Sequence, residues 1–226
     1  MNSLYTSIEL NDRAVSLLEQ GAIENALQGF RQAMTVSKKC LAVAKAGSNN
    51  SKCNGQESLD AFMMTSVEDA MKNQEQEQHV YRQPIRFGTA NASLPTPIMV
   101  STAVIFNLAL AMQLMATAGN DPATSLTKSH QLYELAHQCL STHQNGELLN
   151  NSPLFVLAIM NNMGMIHTQL NQSGAAQEMF QKVMQMIMFL TDCGEGHMIM
   201  KLGTNSTCFF NNVQSFIAPV STAAAA

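Results

Sequence analysis

The sequence predicts an all-α protein built from helical hairpins that stack side by side. Apolar residues recur at helical spacing over most of the chain, and short turns separate pairs of these stretches. The third pair also has small residues at two crossing points, Gly164 and Ala176. One hairpin cannot bury its own apolar face, so several must stack, and the stack leaves a groove along one face.

The first hairpin is predicted over residues 1–46. Its first helix, about residues 4–20, has apolar residues on two sides, which indicates packing against two neighbours. Gly21 follows and supplies the left-handed backbone conformation that ends a helix at little cost. A second amphipathic helix then begins at Ile23 and continues to about Ala46.

Residues 47–97 are predicted to be an insertion or a disordered loop. They contain a weak helical pattern over about 58–78 and a stretch at 80–87 that is typical of extended chain. A connection of this length is well above the usual loop length inside a compact domain.

The second and third hairpins are predicted within residues 98–190. Helices are expected over about 99–116 and 125–142, and then over 153–170 and 173–190. Ser152 followed by proline is typical of a helix N-terminus. The remainder, residues 191–226, is predicted to hold a loop, a helix that closes the end of the stack, and a tail.

Composition excludes some classes of partner. The chain has 226 residues, 46% of them apolar, so it can bury a substantial core. It has 12 Lys and Arg against 16 Asp and Glu, and the basic residues form no cluster in the sequence. This composition predicts no nucleic-acid partner. The five cysteines lack CxxC spacing, and no signal-peptide pattern is visible, so an intracellular, cytoplasmic location is expected.

The hairpins resemble the tetratricopeptide repeat, a pair of antiparallel helices of about 34 residues. The first hairpin carries the family pattern of small and large residues at Ala14, Leu17, Gly21, Ala26, Phe30 and Ala33, and the third carries it at Gly164, His167, Ala176, Phe180 and Val183. The second is degenerate, because the turn between Asn107-Leu108-Ala109 and its closing residues Tyr133 and Ala136 is about eight residues too long. Leu10, Ile105 and Met160 replace the family's Trp.

The resemblance implies a tetratricopeptide-like α-α superhelix of three hairpins, with a long insertion and a C-terminal capping helix. It covers about 120 residues of the chain. The runs at 107–111 and 209–213 also resemble a group of diatom tetratricopeptide-like proteins of unassigned function.

The resemblance further implies that the first helix of each pair lines a peptide-binding groove. The candidate groove residues are Asn11, Val15, Phe106, Asn107, Leu110, Asn161, Asn162 and Met165. An Asn amide offers a donor beside an acceptor, so Asn107 and Asn162 are predicted to hold an extended peptide by its backbone. The alternative is that these Asn residues bridge neighbouring helices. The Lys and Arg that grip a carboxylate in some family members are missing, which favours a neutral or apolar ligand segment.

The functional prediction is a non-catalytic adaptor or scaffold that binds a protein or peptide. One alternative is a structural subunit that self-associates as a homo-oligomer. Another is a membrane anchor through residues 98–118, which carry no charge, although Asn107 and Gln113 near the middle make a buried helix the preferred interpretation.

No enzyme, cofactor or metal site is predicted. The chain lacks a Gly-rich phosphate loop and the HExxH and GxSxG motifs. His137, Cys139 and His143, and the pair Cys193 and His197, are too few and too scattered to provide four converging zinc ligands.

Overall fold

A computed structural model describes residues 2–47, 58–60, 62–63, 79–87, 95–116, 121–143, 147–201 and 206–217. Within these ranges the regular structure is helical and contains no strand, which confirms the all-α class. The helices are α1 (Asn2–Glu19), α2 (Ile23–Gly47), α3 (Pro97–Ala116), α4 (Pro122–Thr142), α5 (Glu147–Asn150), α6 (Pro153–Gln169), α7 (Ser173–Asp192), α8 (Gly196–Lys201) and α9 (Thr207–Ile217).

Helices α1 and α2 form the first hairpin around the predicted turn. Gly21 has φ of 76°, and the turn is closed by a hydrogen bond from the Ala22 N–H to the Leu17 carbonyl at 2.9 Å. The helices cross closely at Gly29, where an added Cβ would lie 2.8 Å from the Cβ of Ala14. Sequence analysis identified Ala14 as a small crossing residue but missed Gly29.

Helix α3 is the central helix of the protein and packs against α1, α2 and α4. It is long and apolar enough to cross a membrane, but 83% of the qualifying window is buried inside the protein. Length and hydropathy alone are weak support for a membrane span, and burial among other helices accounts for the same uncharged run.

Helix α4 pairs with α3 and begins three residues before its predicted start. The sequence from Ala118 to Pro122 is typical of a turn, which places the predicted start at 125, but Asp121 is the N-cap and its carboxylate accepts the Thr124 N–H at 3.2 Å. Pro122 occupies the first turn, where it lacks only an N–H that would be unpaired anyway.

The third hairpin consists of α6 and α7, which meet at a glycine. A Cβ on Gly164 would lie 2.7 Å from the Phe180 ring, so any larger residue would force this buried ring to move. Asn171 in the connecting turn adopts φ of 58°, a left-handed conformation that asparagine tolerates better than most residues.

A residue from the insertion caps the N-terminus of α6. Ser152 is the N-cap as predicted, but its hydroxyl accepts the Leu59 N–H at 2.9 Å instead of capping its own helix. The Asp60 carboxylate supplies the cap and accepts the N–H groups of Leu154 and Phe155, each at 2.9 Å. Burial raises the pKa of Asp60 to about 7, although these two N–H donors act in the opposite direction.

The C-terminal part contains two short helices that sequence analysis missed, α5 and α8. Each has six residues or fewer, too short for helical periodicity to register. Helix α9 packs against α6 and α7, as a closing helix would, and buries Phe209 completely. Residues 218–226 lie outside the described residues.

Most of the predicted insertion, residues 47–97, also lies outside the described residues. The weak helix predicted over 58–78 is described only at 58–60 and 62–63. The stretch at 80–87 is described and is not helical.

The helices pack in chain order. The first hairpin contacts α3, α4 of the second hairpin contacts α6, and the third hairpin contacts α9. Helices α1, α3, α6 and α9 all contribute polar side chains to one path across the molecule, which residues 79–87 follow.

Candidate functional site

Residues 79–87, called the groove segment below, lie across α1, α3, α6 and α9, and the surface that these helices present to it is called the groove. Tyr81, Ile85 and Phe87 are at most 2% exposed, and Gln83 and Pro84 are also buried. A segment of the same chain therefore fills the groove in this structure.

The firmest contact joins Asn107 on α3 to the backbone of Ile85. The Asn107 side-chain oxygen accepts the Ile85 N–H at 2.8 Å, and its Nδ2 donates to the Ile85 carbonyl at 2.8 Å. Asn11 on α1 donates to the same carbonyl at 2.9 Å. The N–H and C=O of one residue point to the same side only in extended chain, so Ile85 is extended.

Asn162 on α6 holds Tyr81 in the same way. Its oxygen accepts the Tyr81 N–H at 2.8 Å, and its Nδ2 donates to the Tyr81 carbonyl at 2.9 Å. The second Nδ2 hydrogen goes to the Tyr133 hydroxyl at 2.9 Å, and that hydroxyl donates onward to Gln113 at 3.1 Å.

The two ends of the groove segment are held by further side chains. Asn161 and Asn212 both donate to the His79 carbonyl, at 3.0 and 2.7 Å. The Asp12 carboxylate accepts the Phe87 N–H at 3.0 Å. The backbone contacts therefore fall on residues 79, 81, 85 and 87, which share one edge of an extended chain.

The asparagines also bridge neighbouring helices. Asn107 donates to the Asn11 oxygen at 2.9 Å, and Asn212 donates to the Asn161 oxygen at 2.8 Å. The sequence left two interpretations of these asparagines open, that they hold an extended peptide or that they bridge neighbouring helices. In the structure the same side-chain amides do both. Such a network is rigid because each buried donor and acceptor is oriented by its neighbour.

Aromatic side chains line the groove beneath Tyr81. The Tyr81 ring stacks on Phe209, with centroids 5.6 Å apart and planes 8° apart, and lies 6.5 Å from Phe106. Phe106 in turn contacts Tyr133 and Phe155, at 5.5 and 5.0 Å. This aromatic cluster favours an aromatic side chain at position 81 of the groove segment.

The Tyr81 hydroxyl is the exception to this fit. It is fully buried and has no hydrogen-bond partner among the residues that the structure describes. Burial raises the pKa of Tyr81 well above its usual value. A buried hydroxyl that makes no hydrogen bond is penalised relative to one in water.

Arg86 lies at the rim of the groove, where it is partly exposed. Its guanidinium lies 2.8 Å from the Glu19 carboxylate and also donates to the Ser16 hydroxyl and the Asp12 carbonyl, both at 3.2 Å. An exposed pair of this kind adds little stability, so the backbone contacts and apolar side chains hold the segment.

The predicted groove residues do not all lie beside the segment backbone. Asn11, Asn107, Asn161 and Asn162 contact it directly, and Phe106 contacts the Tyr81 ring. Val15 and Leu110 belong to the buried core, and Met165 is only partly buried against it.

Sequence analysis missed the contribution of Asn212. A signal was present, since the run Phe209-Phe210-Asn211-Asn212 repeats the pattern of Ile159-Met160-Asn161-Asn162. The repeat indicates that α9 presents an amide to the groove as α6 does.

A histidine pair lies outside the groove. The Nε2 atoms of His130 and His167 are 3.0 Å apart, and the Nδ1 of His167 lies 2.7 Å from the Gln172 side-chain oxygen. Burial lowers the pKa of His130. Within the described part of the chain, no three His, Cys, Asp or Glu side chains converge on a point that could hold a metal ion.

Comparisons with protein-family models, curated proteins and solved structures gave no match. The resemblance to tetratricopeptide repeats therefore stays a prediction from the sequence.

Proposed function

We propose that this protein is a non-catalytic, tetratricopeptide-like scaffold that binds an extended peptide segment of a partner protein in the groove. The proposal depends on two pairs of hydrogen bonds. The side-chain amide of Asn107 accepts from the N–H and donates to the C=O of Ile85, and Asn162 does the same with Tyr81. These side chains recognise peptide backbone, a group that every partner protein offers.

The groove segment is, in this proposal, the resident occupant. A partner segment binds by replacing it, because the same asparagine amides cannot hold two backbones at once. The apparent affinity for a partner is then the intrinsic affinity reduced by the fraction of molecules in which the groove is vacant.

The chemistry of the groove favours a neutral or apolar partner segment. Its contacts to the segment backbone come from Asn side chains and from one carboxylate, Asp12. An acidic peptide would bring its charge toward Asp12 without meeting a basic side chain in these contacts, so we expect it to bind poorly.

The test is binding of a groove-segment peptide in trans. Ile85→Asp in the full chain places an unpaired carboxylate at a site that is 0% exposed, which should expel the groove segment. A fluorescent, end-capped peptide with the sequence of residues 79–87 should then bind saturably. Fluorescence anisotropy measures the binding, and far-UV circular dichroism checks that the helices persist.

The control is the same variant with Asn107→Ala and Asn162→Ala added. Two peptide residues lose their backbone partners, so we expect affinity to fall by roughly a hundredfold. Should Ile85→Asp lose its helical signal, Tyr81→Ala offers a milder way to loosen the groove segment. Folded protein that takes up no peptide, or binding unaffected by the asparagine changes, would refute the proposal.

Self-association is a second candidate, favoured by a separate observation. Large apolar side chains are exposed on three C-terminal helices, including Phe189 on α7 at 61% and Met200 on α8 at 70%, with Phe210 on α9 at 41%. Light scattering over a range of concentrations tests it. A dimer that Phe189→Ser converts to monomer supports self-association, and a monomer at all concentrations rejects it.

A further inference from the structure

The groove segment is an imperfect ligand for its own groove, and the imperfection lies at one atom. The Tyr81 ring stacks on Phe209 with its planes nearly parallel, yet its hydroxyl is buried without a partner among the described residues. By contrast, the Ile85 side chain is fully buried, and both backbone groups of that residue are paired. The mismatch therefore belongs to the Tyr81 side chain and not to its backbone.

We infer that the partner is an extended segment with Phe at the position of Tyr81, an aliphatic residue at that of Ile85 and an aromatic residue at that of Phe87. This inference rests on the proposed function and specifies its ligand. A partner with Phe keeps the stack on Phe209 and leaves no hydroxyl unpaired, so it displaces the resident segment.

The spacing of the three positions follows from the backbone contacts. Asn162 contacts residue 81, Asn107 contacts residue 85, and Asp12 contacts residue 87. In extended chain the backbone groups alternate sides at every residue. A segment shifted by one residue between the first two positions would turn the second amide away from Asn107.

The two aromatic side chains each contact a defined aromatic surface, and Ile85 belongs to the buried apolar core. Phe87 packs edge-on against Phe62 with ring centroids 5.0 Å apart and is 2% exposed. Tyr81 lies against Phe209 and Phe106. The partner motif is therefore Phe, three residues, aliphatic, one residue, aromatic.

Three end-capped fluorescent peptides test this motif on the full-length Ile85→Asp protein. The first has the sequence of residues 79–87, the second carries Tyr81→Phe, and the third has a glycine inserted after Gln83. We expect the Tyr81→Phe peptide to bind about tenfold more tightly than the first, because no hydroxyl is buried unpaired. The shifted peptide should bind at least about tenfold more weakly, since it loses the Asn107 contacts.

The possible outcomes separate the two proposals. If the first peptide binds but Tyr81→Phe binds equally or more weakly, or the shifted peptide binds as well, the motif is overturned and the groove function stands. If no peptide binds, the proposed function itself fails. The unaltered chain should give the same order of affinities at weaker apparent affinity, and this readout serves if the variant does not fold.

Discussion

The two halves of the groove segment differ in their side chains and not in how their backbones are held. Around Ile85 the backbone is paired and the side chain is fully buried in an apolar site. Around Tyr81 both backbone groups are also paired, here with a single asparagine, but a hydroxyl is left without a partner among the described residues. The comparison teaches that backbone recognition in this groove is general, while fit depends on each side-chain position.

The variants with the largest expected effect at a fixed pH test whether the backbone is held equally strongly at Ile85 and at Tyr81. Asn107→Ala and Asn162→Ala should each lower the free energy of unfolding by about 3 kcal/mol, because each leaves two buried polar groups unpaired. Asn107→Ala does so at the Ile85 N–H and the Asn11 side-chain oxygen, and Asn162→Ala at the N–H and C=O of Tyr81. Urea denaturation measures this. Asn150→Ala, at an exposed position, is the control and should change stability by less than about 0.5 kcal/mol. If the losses in free energy of unfolding for Asn107→Ala and Asn162→Ala differ by more than about 1.5 kcal/mol, the two halves of the groove segment are not held alike.

A pH titration probes the helix that holds the Tyr81 half. Asp60 caps α6, and its pKa is raised from 3.8 to about 7. Between these two pH values the folded state therefore binds more protons than the unfolded state. Stability from this group is full below about pH 4 and is lost as pH rises through 7, by roughly 4 kcal/mol.

The comparison protein for this titration is Asp60→Asn, measured by urea denaturation at several pH values. His130 and His137, whose pKa values burial lowers, add stability as pH rises in the same window. Only the difference between the two proteins therefore reports on Asp60. A difference that does not change between pH 4 and 7 would contradict the assignment.

A shift of α6, which carries Asn162, should destabilise the protein on the side of the groove that holds Tyr81. Gly164→Ala places a methyl group within 2.7 Å of the Phe180 ring and should cost about 2 kcal/mol. Gly174→Ala on α7 meets nothing within 4 Å and should be neutral or slightly stabilising. Equal melting temperatures for the two variants would argue against the close crossing of α6 and α7.

The smallest effect distinguishes two buried tyrosines. Tyr81→Phe removes a hydroxyl that has no partner in the described part of the chain and should stabilise the protein by about 1 kcal/mol. Tyr133→Phe removes a hydroxyl that is bonded to Asn162 and Gln113, and should destabilise it by a similar amount. Thermal unfolding gives both values. A loss of stability in Tyr81→Phe would show that the hydroxyl has a partner after all.

The local signals in the sequence were sufficient for the hairpins. Gly21 marks a turn because left-handed conformation favours glycine, and Gly164 marks a crossing because a side chain would not fit. Helical periodicity located the long helices, but α5 and α8 are too short to show it. The start of α4 was misplaced because Asp-Pro is common both in turns and at helix N-termini.

The contents of the groove depended on contacts between distant parts of the chain. The sequence indicated that Asn107 and Asn162 hold extended backbone and separately that residues 80–87 are extended, yet no local pattern joined the two observations. Asn162 lies 81 positions from the residue it holds. The cap on α6 was missed for the same reason, since Asp60 and Phe155 are 95 positions apart.

The groove segment ties the first hairpin to the last helix. Arrays of stacked hairpins, whose units contact only their neighbours, can lose structure one unit at a time from an end. Here the groove segment contacts α1 through Asp12 and α9 through Asn212, so the loss of either end helix breaks contacts to a segment that the other end helix also holds. We therefore expect the stacked helices to unfold in one cooperative transition, and to lose that cooperativity when the groove segment is displaced.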